Sequence, residues 1–270
     1  MSNWVDLGAV QETMKLGYLM WDKNWDEANG GNISYILTDE EAKELNYTPG
    51  TGRRIDLKIP DILRGKYVMV TATGSYFREL RDDPEHLIGI TYLPEEGDYY
   101  EIAAGLVNNR PSSEFPAHLG AHAARLAVDP EHRVVMHNHA TNILTMTHCG
   151  PTDEKSFTKA LWRMIPECIN VIPEGVGFIP YMTCGTQEIG DATNEKMKDH
   201  KFIVWQWHGV FSAGKSLHDA FGVLETVEKV AGVWVNASIA GRTSEGISDR
   251  ELQKLLDLWG MTCHPGYLDV

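Results

Sequence analysis

The sequence predicts an α/β fold in which a single domain carries a central mixed, mostly antiparallel sheet flanked by helices. Three observations support this. Apolar runs of strand length and stretches of 3.6-residue periodicity share the whole chain. In the first half the strand candidates are largely not separated by full helices, which favours antiparallel neighbours over βαβ crossovers. No Pro/Ser-rich linker, internal repeat or low-complexity tract divides the 270 residues, so the domain is expected to span 1–270, enough to bury a large core.

The elements follow in order. Residues 6–26 place Leu7, Val10, Met14, Gly17/Tyr18, Trp21 and Trp25 on one helical face. The loop Asn29 to Ser34, NGGNIS, leads into a short strand, and 38–66 reads as an inserted loop with one helix. Strands are expected at 66–72, 87–93 and 98–103, then a helix at 115–127 and a strand at 133–138. Helices fit 153–165 and 187–200, the latter opening at Thr186 or Gln187, and 201–208 is a strand. A long helix runs from Ser216 to about Ala240, with Ala220, Val223, Val227, Val230 and Trp234 on one stripe. Ser248 to Glu251 has the form of a capping box that opens a last helix over 249–258.

Composition narrows the function. A formal charge of −14 opposes nucleic-acid binding, which needs a basic stripe, but leaves room for a small anionic substrate met by local donors. No apolar run reaches the roughly 18–20 residues of a membrane span. The start, MSNWVDLGAV, lacks the charged and apolar regions of a signal peptide. Cys149, Cys168, Cys184 and Cys263 are dispersed without a C-x-x-C pair, so reduced thiols in the cytoplasm are expected.

The segment Val134 to Asn142, VVMHNHATN, carries the chemistry. Side chains two apart on a strand point to one face, so His137 and His139 form half of a metal site. Residues 201–209, KFIVWQWHG, repeat an apolar run that ends in His208 and a glycine. Three histidines with an open fourth position form the arrangement of catalytic zinc. His118 and His122, four apart on a helix, lack the glutamate of H-E-x-x-H, and read as core or supporting histidines. Glu114, in RPSSEFPAH, is either a helix-start acid favoured by the dipole or a carboxylate presented to the metal. Two glycine loops, NGGN with Asn29 and Asn32 and TATGSYF with Thr73 and Gly74, join Ser112 and Ser113 as a possible neutral phosphate nest.

NGGNIS, TATGSYF, SSEFPAH, HNHATN and WHGVF occur in the order seen in the class II aldolase/adducin family, which the chain resembles over nearly its whole length. The resemblance implies one zinc per subunit held by His137, His139 and His208. It implies Glu114 as catalytic acid/base, and Asn29, Asn32, Thr73, Gly74, Ser112 and Ser113 around the phosphate. Glu167, in PECINV, matches a carboxylate that in such aldolases reaches the active site of the adjacent subunit of a homotetramer. The implied reaction is zinc-assisted cleavage of a ketose 1-phosphate to dihydroxyacetone phosphate and L-lactaldehyde. In it Glu167 takes the C4 hydroxyl proton and Glu114 protonates C3. Related aldolases often read T-G-S-G-K or T-G-S-S where this chain has Thr73-Gly74-Ser75-Tyr76. The alternatives are L-fuculose-phosphate aldolase, a pentulose-phosphate 4-epimerase and a non-catalytic, adducin-like interaction module, the last of which lacks the histidine set.

Overall fold

The computed structural model describes residues 4–270; residues 1–3, the start of the stretch read as free of a signal peptide, lie outside the described residues. Strands β1 (Asn32–Ile36), β2 (Arg53–Asp56), β3 (Tyr67–Thr71), β4 (Ile88–Tyr92), β5 (Tyr99–Gly105), β6 (Val134–Asn138), β7 (Gly177–Ile179), β8 (Phe202–Trp205) and β9 (Gly209–Gly214) form one sheet. Its order is β2-β5-β4-β3-β1-β6-β9-β8-β7. All neighbours are antiparallel except β7 and β8, so the sheet is mixed and mostly antiparallel, as expected. The helices are α1 (Gly8–Asp22), α2 (Asp39–Glu44), α3 (Pro84–Leu87), α4 (Phe115–Leu126), α5 (Thr141–Cys149), α6 (Glu154–Trp162), α7 (Glu167–Val171), α8 (Gln187–Lys196), α9 (Leu217–Ile239) and α10 (Asp249–Trp259).

The middle of the sheet is buried on both faces, because successive side chains of a strand enter different layers. Val134 and Met136 of β6 pack with Val210 and with residues of α1, α5 and α9. Val135, between them, packs with Phe211, Trp205 and Ala213 against Ala121 of α4 and Ile189 of α8. A third cluster sets Val68 and Val70 of β3 against Phe115 and Leu119. The layer holding α4 is therefore the one that receives every second residue of β6, and His137 follows Val135 in that alternation.

Helix ends obey local chemistry. The Thr186 hydroxyl accepts from the Ile189 amide and opens α8 where expected. Ser248 accepts from the Glu251 amide at 3.3 Å, but the Glu251 carboxylate turns to Lys254, so half of the expected box forms. The box is complete at Thr38 and Glu41, where α2 supplies the helix expected in the inserted loop. The first helix is shorter than 6–26, since Asn24 takes a φ of 58° and stops it.

Six elements go beyond the sequence reading, namely β2, α3, α5, α7, β7 and β9. The last is the most consequential, because Gly209–Gly214 is an interior strand of the sheet, between β6 and β8. Its small residues answer to packing. A Cβ on Gly209 would lie 2.3 Å from the Asn138 carbonyl oxygen, and one on Gly214 2.6 Å from the Ala220 nitrogen. Close approach overrides strand propensity here. Helix α5 is capped from afar, for the buried Glu228 carboxylate of α9 accepts from the amides of Asn142 and Ile143.

Candidate metal and catalytic site

β6 lies between β1 and β9, and its C-terminal end carries His137, with His139 just beyond it. The tight turn from β8 to β9 carries His208. Trp207 in that turn holds a φ of 61°, a conformation that costs a side-chain-bearing residue roughly 1–2 kcal/mol. Thr147 of α5 offsets the strain: its hydroxyl accepts from the Trp207 amide, and its carbonyl from the indole N–H, both at 3.1 Å. The three histidines thereby meet, with one ligand nitrogen of each within 4.8 Å of the others.

Two of the rings are oriented by a hydrogen-bond partner. His137 is fully buried, and its Nδ1–H donates to the Val210 carbonyl at 2.9 Å, which turns Nε2 toward the cluster. His139 Nδ1 donates to Glu27 Oε1 at 2.7 Å, while its Nε2 is buried without any partner. Burial, then the neighbouring His139 and His208 rings, pushes the His137 imidazole well below the usual range. Burial and then His139 lower His208, against the opposing pull of Glu114 and Glu27. Neutral rings are the form that binds a cation. An unpartnered buried nitrogen aimed at two more imidazoles costs free energy that a bound cation would offset, so the donor set fits zinc.

Glu114 stands at the N-cap of α4, with Pro116 in the first turn. It is not merely a helix-start acid, because its Oε2 lies 3.8 Å from His137 Nε2 and accepts from Asn32 Nδ2 at 2.8 Å. Glu114 and Ser113 line a cleft of about 80 Å³ shared with Thr186 and Trp205. Asn32 projects from β1 and is engaged with Glu114 and with His118, rather than with the Thr73 and Ser112 loops. His118 and His122 are fully buried, as expected of supporting histidines.

The TATG turn and the segment that carries Ser112 and Ser113 are brought together. Thr73 N donates to the Arg110 carbonyl and Ser112 N to the Thr71 carbonyl, each at 3.0 Å, which stitches the turn after β3 to the segment before α4. Gly74 there has a φ of 72°, which favours glycine. The Ser112 hydroxyl accepts from the Glu114 amide. Asn29 is exposed, next to Gly30, where a Cβ would lie 2.9 Å from the His139 ring. Glu167 opens α7, exposed, and its side chain makes no hydrogen bond or ion pair among the described residues. Glu27 is the functional residue the sequence reading missed. It is separated from His139 by over a hundred positions and belongs to no motif.

A mostly antiparallel sheet between helices thus carries at one end three converging histidines and a carboxylate, a site able to hold a metal ion beside an acid/base group. Residues 11–235 match the Class II Aldolase and Adducin N-terminal domain, and the chain belongs to that family. It is 42% identical over 262 residues to rhamnulose-1-phosphate aldolase of Enterococcus faecalis, covering 96% of this chain and 94% of that one. The rhamnulose-1-phosphate aldolase of Listeria monocytogenes serotype 4b is 41% identical over 267 residues, 98% of each chain. Among solved structures, a sugar-phosphate aldolase from Thermotoga maritima superposes with a TM-score of 0.73 at 30% identity, over 88% of this chain and 98% of that one.

Proposed function

We propose that the chain is a zinc-dependent aldehyde-lyase that cleaves L-rhamnulose 1-phosphate to dihydroxyacetone phosphate and L-lactaldehyde, in cytoplasmic L-rhamnose catabolism. The observation that carries this reading is Glu114 Oε2 placed 3.8 Å from Nε2 of a buried histidine in a three-histidine cluster, in a chain so similar to rhamnulose-1-phosphate aldolases. All 270 residues form one catalytic unit of a homotetramer. His137, His139 and His208 hold the ion. When bound, it supplies a Lewis acid for the negative charge that gathers on the substrate oxygens as the C3–C4 bond breaks.

The protein's own groups do the rest. Thr73, Gly74, Ser112 and Ser113, with Asn29, receive the phosphate through amides and hydroxyls, which suits a chain of charge −14. Glu114, beside the cluster and fixed by Asn32, delivers a proton to C3 of the dihydroxyacetone phosphate fragment. Glu167 of the neighbouring subunit removes the C4 hydroxyl proton.

The test is a coupled assay for dihydroxyacetone phosphate released from L-rhamnulose 1-phosphate, with metal analysis of the same sample. Free aldehyde must also accumulate, which separates an aldolase from an epimerase. Glu114→Gln should keep its zinc and lose turnover and C3 proton exchange by about 10²–10⁴-fold. A zinc-loaded protein that releases no dihydroxyacetone phosphate refutes the reading.

A further inference from the structure

Behind Glu114 a line of polar side chains runs through the core where aliphatic residues would be expected. Asn32 and Ser34 stand two apart on β1, and His118 and His122 four apart on α4. These spacings correspond to about 6.7 Å along a strand and 6 Å along a helix, so the two pairs face one another in step. His132, just before β6, ends the line. Ser34, His118 and His122 are fully buried, and Asn32 and His132 nearly so.

The hydrogen bonds have one consistent direction. A carboxylate oxygen accepts, so Asn32 must present its amide nitrogen to Glu114 and its Oδ1 to His118. His118 then carries its proton on Nε2, and its Nδ1 accepts from the Ser34 hydroxyl at 2.6 Å. With that proton spent, the Ser34 oxygen accepts from His122 Nε2–H at 2.8 Å. His122 Nδ1 accepts in turn from His132 Nε2–H at 2.9 Å. Every donor points toward Glu114. Burial keeps the rings neutral, with His118 and His132 held down to about 3 and His122 also lowered.

We infer that Ser34, His118, His122 and His132 are positioning residues, a one-way hydrogen-bond relay that locks the Asn32 amide and through it aims Glu114. This rests on the proposed role of Glu114. The relay orients and does not conduct, because an amide between His118 and Glu114 does not pass a proton on as an imidazole does. A half-satisfied buried network is costly, so loss of one link is felt along the whole line.

Two measurements test it. In ¹⁵N-histidine-labelled protein, His118, His122 and His132 should all be protonated at Nε2, and a His118 protonated at Nδ1 overturns the relay. In kinetics, Ser34→Ala should lower kcat roughly 10-fold, the scale of lost outer-shell support, with KM and zinc content unchanged. His118→Leu should lose at least as much, and His118→Gln, which can donate to Asn32 and accept from Ser34, should recover most of it. Unchanged kcat in Ser34→Ala, or equal loss in both His118 variants, overturns the inference. If the wild type carries zinc yet cleaves no ketose phosphate, the proposed function fails by itself, and the tautomers alone decide the relay.

Discussion

Buried neutral histidines should make this protein acid-labile, and His132 offers the cleanest measurement. Burial, with Arg125 and Arg133 nearby, holds its imidazole at about 3, against the smaller opposing pull of Asp129. The unfolded chain takes up the proton near pH 6.5. Between these values the unfolded state binds more protons than the native one, so stability rises with pH across the window and is lost as pH falls. At 1.36 kcal/mol per pH unit, His132 accounts for about 2 kcal/mol of the stability lost on going from neutral pH to about pH 5. His118, also held at about 3, adds a similar share. His132→Gln keeps a donor for His122 but does not titrate. Denaturant unfolding of both proteins near pH 7.5 and pH 5 should show the wild type losing about 2 kcal/mol more than the variant. Carboxylates and metal ligands shared by the two proteins cancel in that difference. Equal losses would mean that His132 titrates alike in both states, and the reasoning from burial would be wrong.

Glu27→Ala removes the acceptor that orients His139 at 2.7 Å; zinc affinity, read by chelator competition, should drop by about 10–100-fold with the fold intact. Mixing Glu167→Ala with His137→Ala subunits and allowing exchange should create activity that neither parent has, since some sites then pair an intact zinc cluster with an intact neighbouring Glu167. Mixed oligomers, seen by native mass spectrometry, that remain inactive would place Glu167 outside the reaction.

The sequence revealed features whose cause is local. Val134 to Asn138 alternates as a strand, the stripe from Ala220 to Trp234 repeats as a helix, and Thr186 caps as its chemistry demands. The histidine pair and His208 were legible because each ends an apolar run. What stayed hidden depends on distant partners. β9, unassigned from sequence, makes sense only once Gly209 and Gly214 are seen pressed against Asn138 and Ala220. α5 starts where Glu228 caps it from another helix. Glu27 and Asn32 acquire meaning only across the fold, the one from His139 and the other from Glu114 and His118. Asn32 shows the limit well: its place in NGGN suggested a phosphate contact, and only the register of β1 against β6 and α4 reveals what its amide holds.

On the proposed mechanism, the same facts divide the site into two halves of different character. His137 is fixed by the central strand, His208 by a strained turn pinned to Thr147, and His139 by Glu27 and by the Trp25 carbonyl, which accepts its amide at 2.8 Å. These constraints all lie within one chain, so a single subunit has what it needs to hold a cation in a rigid seat, the condition for precise chemistry. Glu114 belongs to that half, tied through Asn32 to the buried histidines. Glu167 does not: it is exposed and unpartnered in its own chain, at the start of a short helix. On the proposed mechanism, metal binding and C3 protonation are therefore properties of the subunit, whereas removal of the C4 proton is a property of the assembly. Weakening the contact between subunits should then depress carbon–carbon cleavage more than C3 proton exchange, because exchange needs only the half that each chain carries.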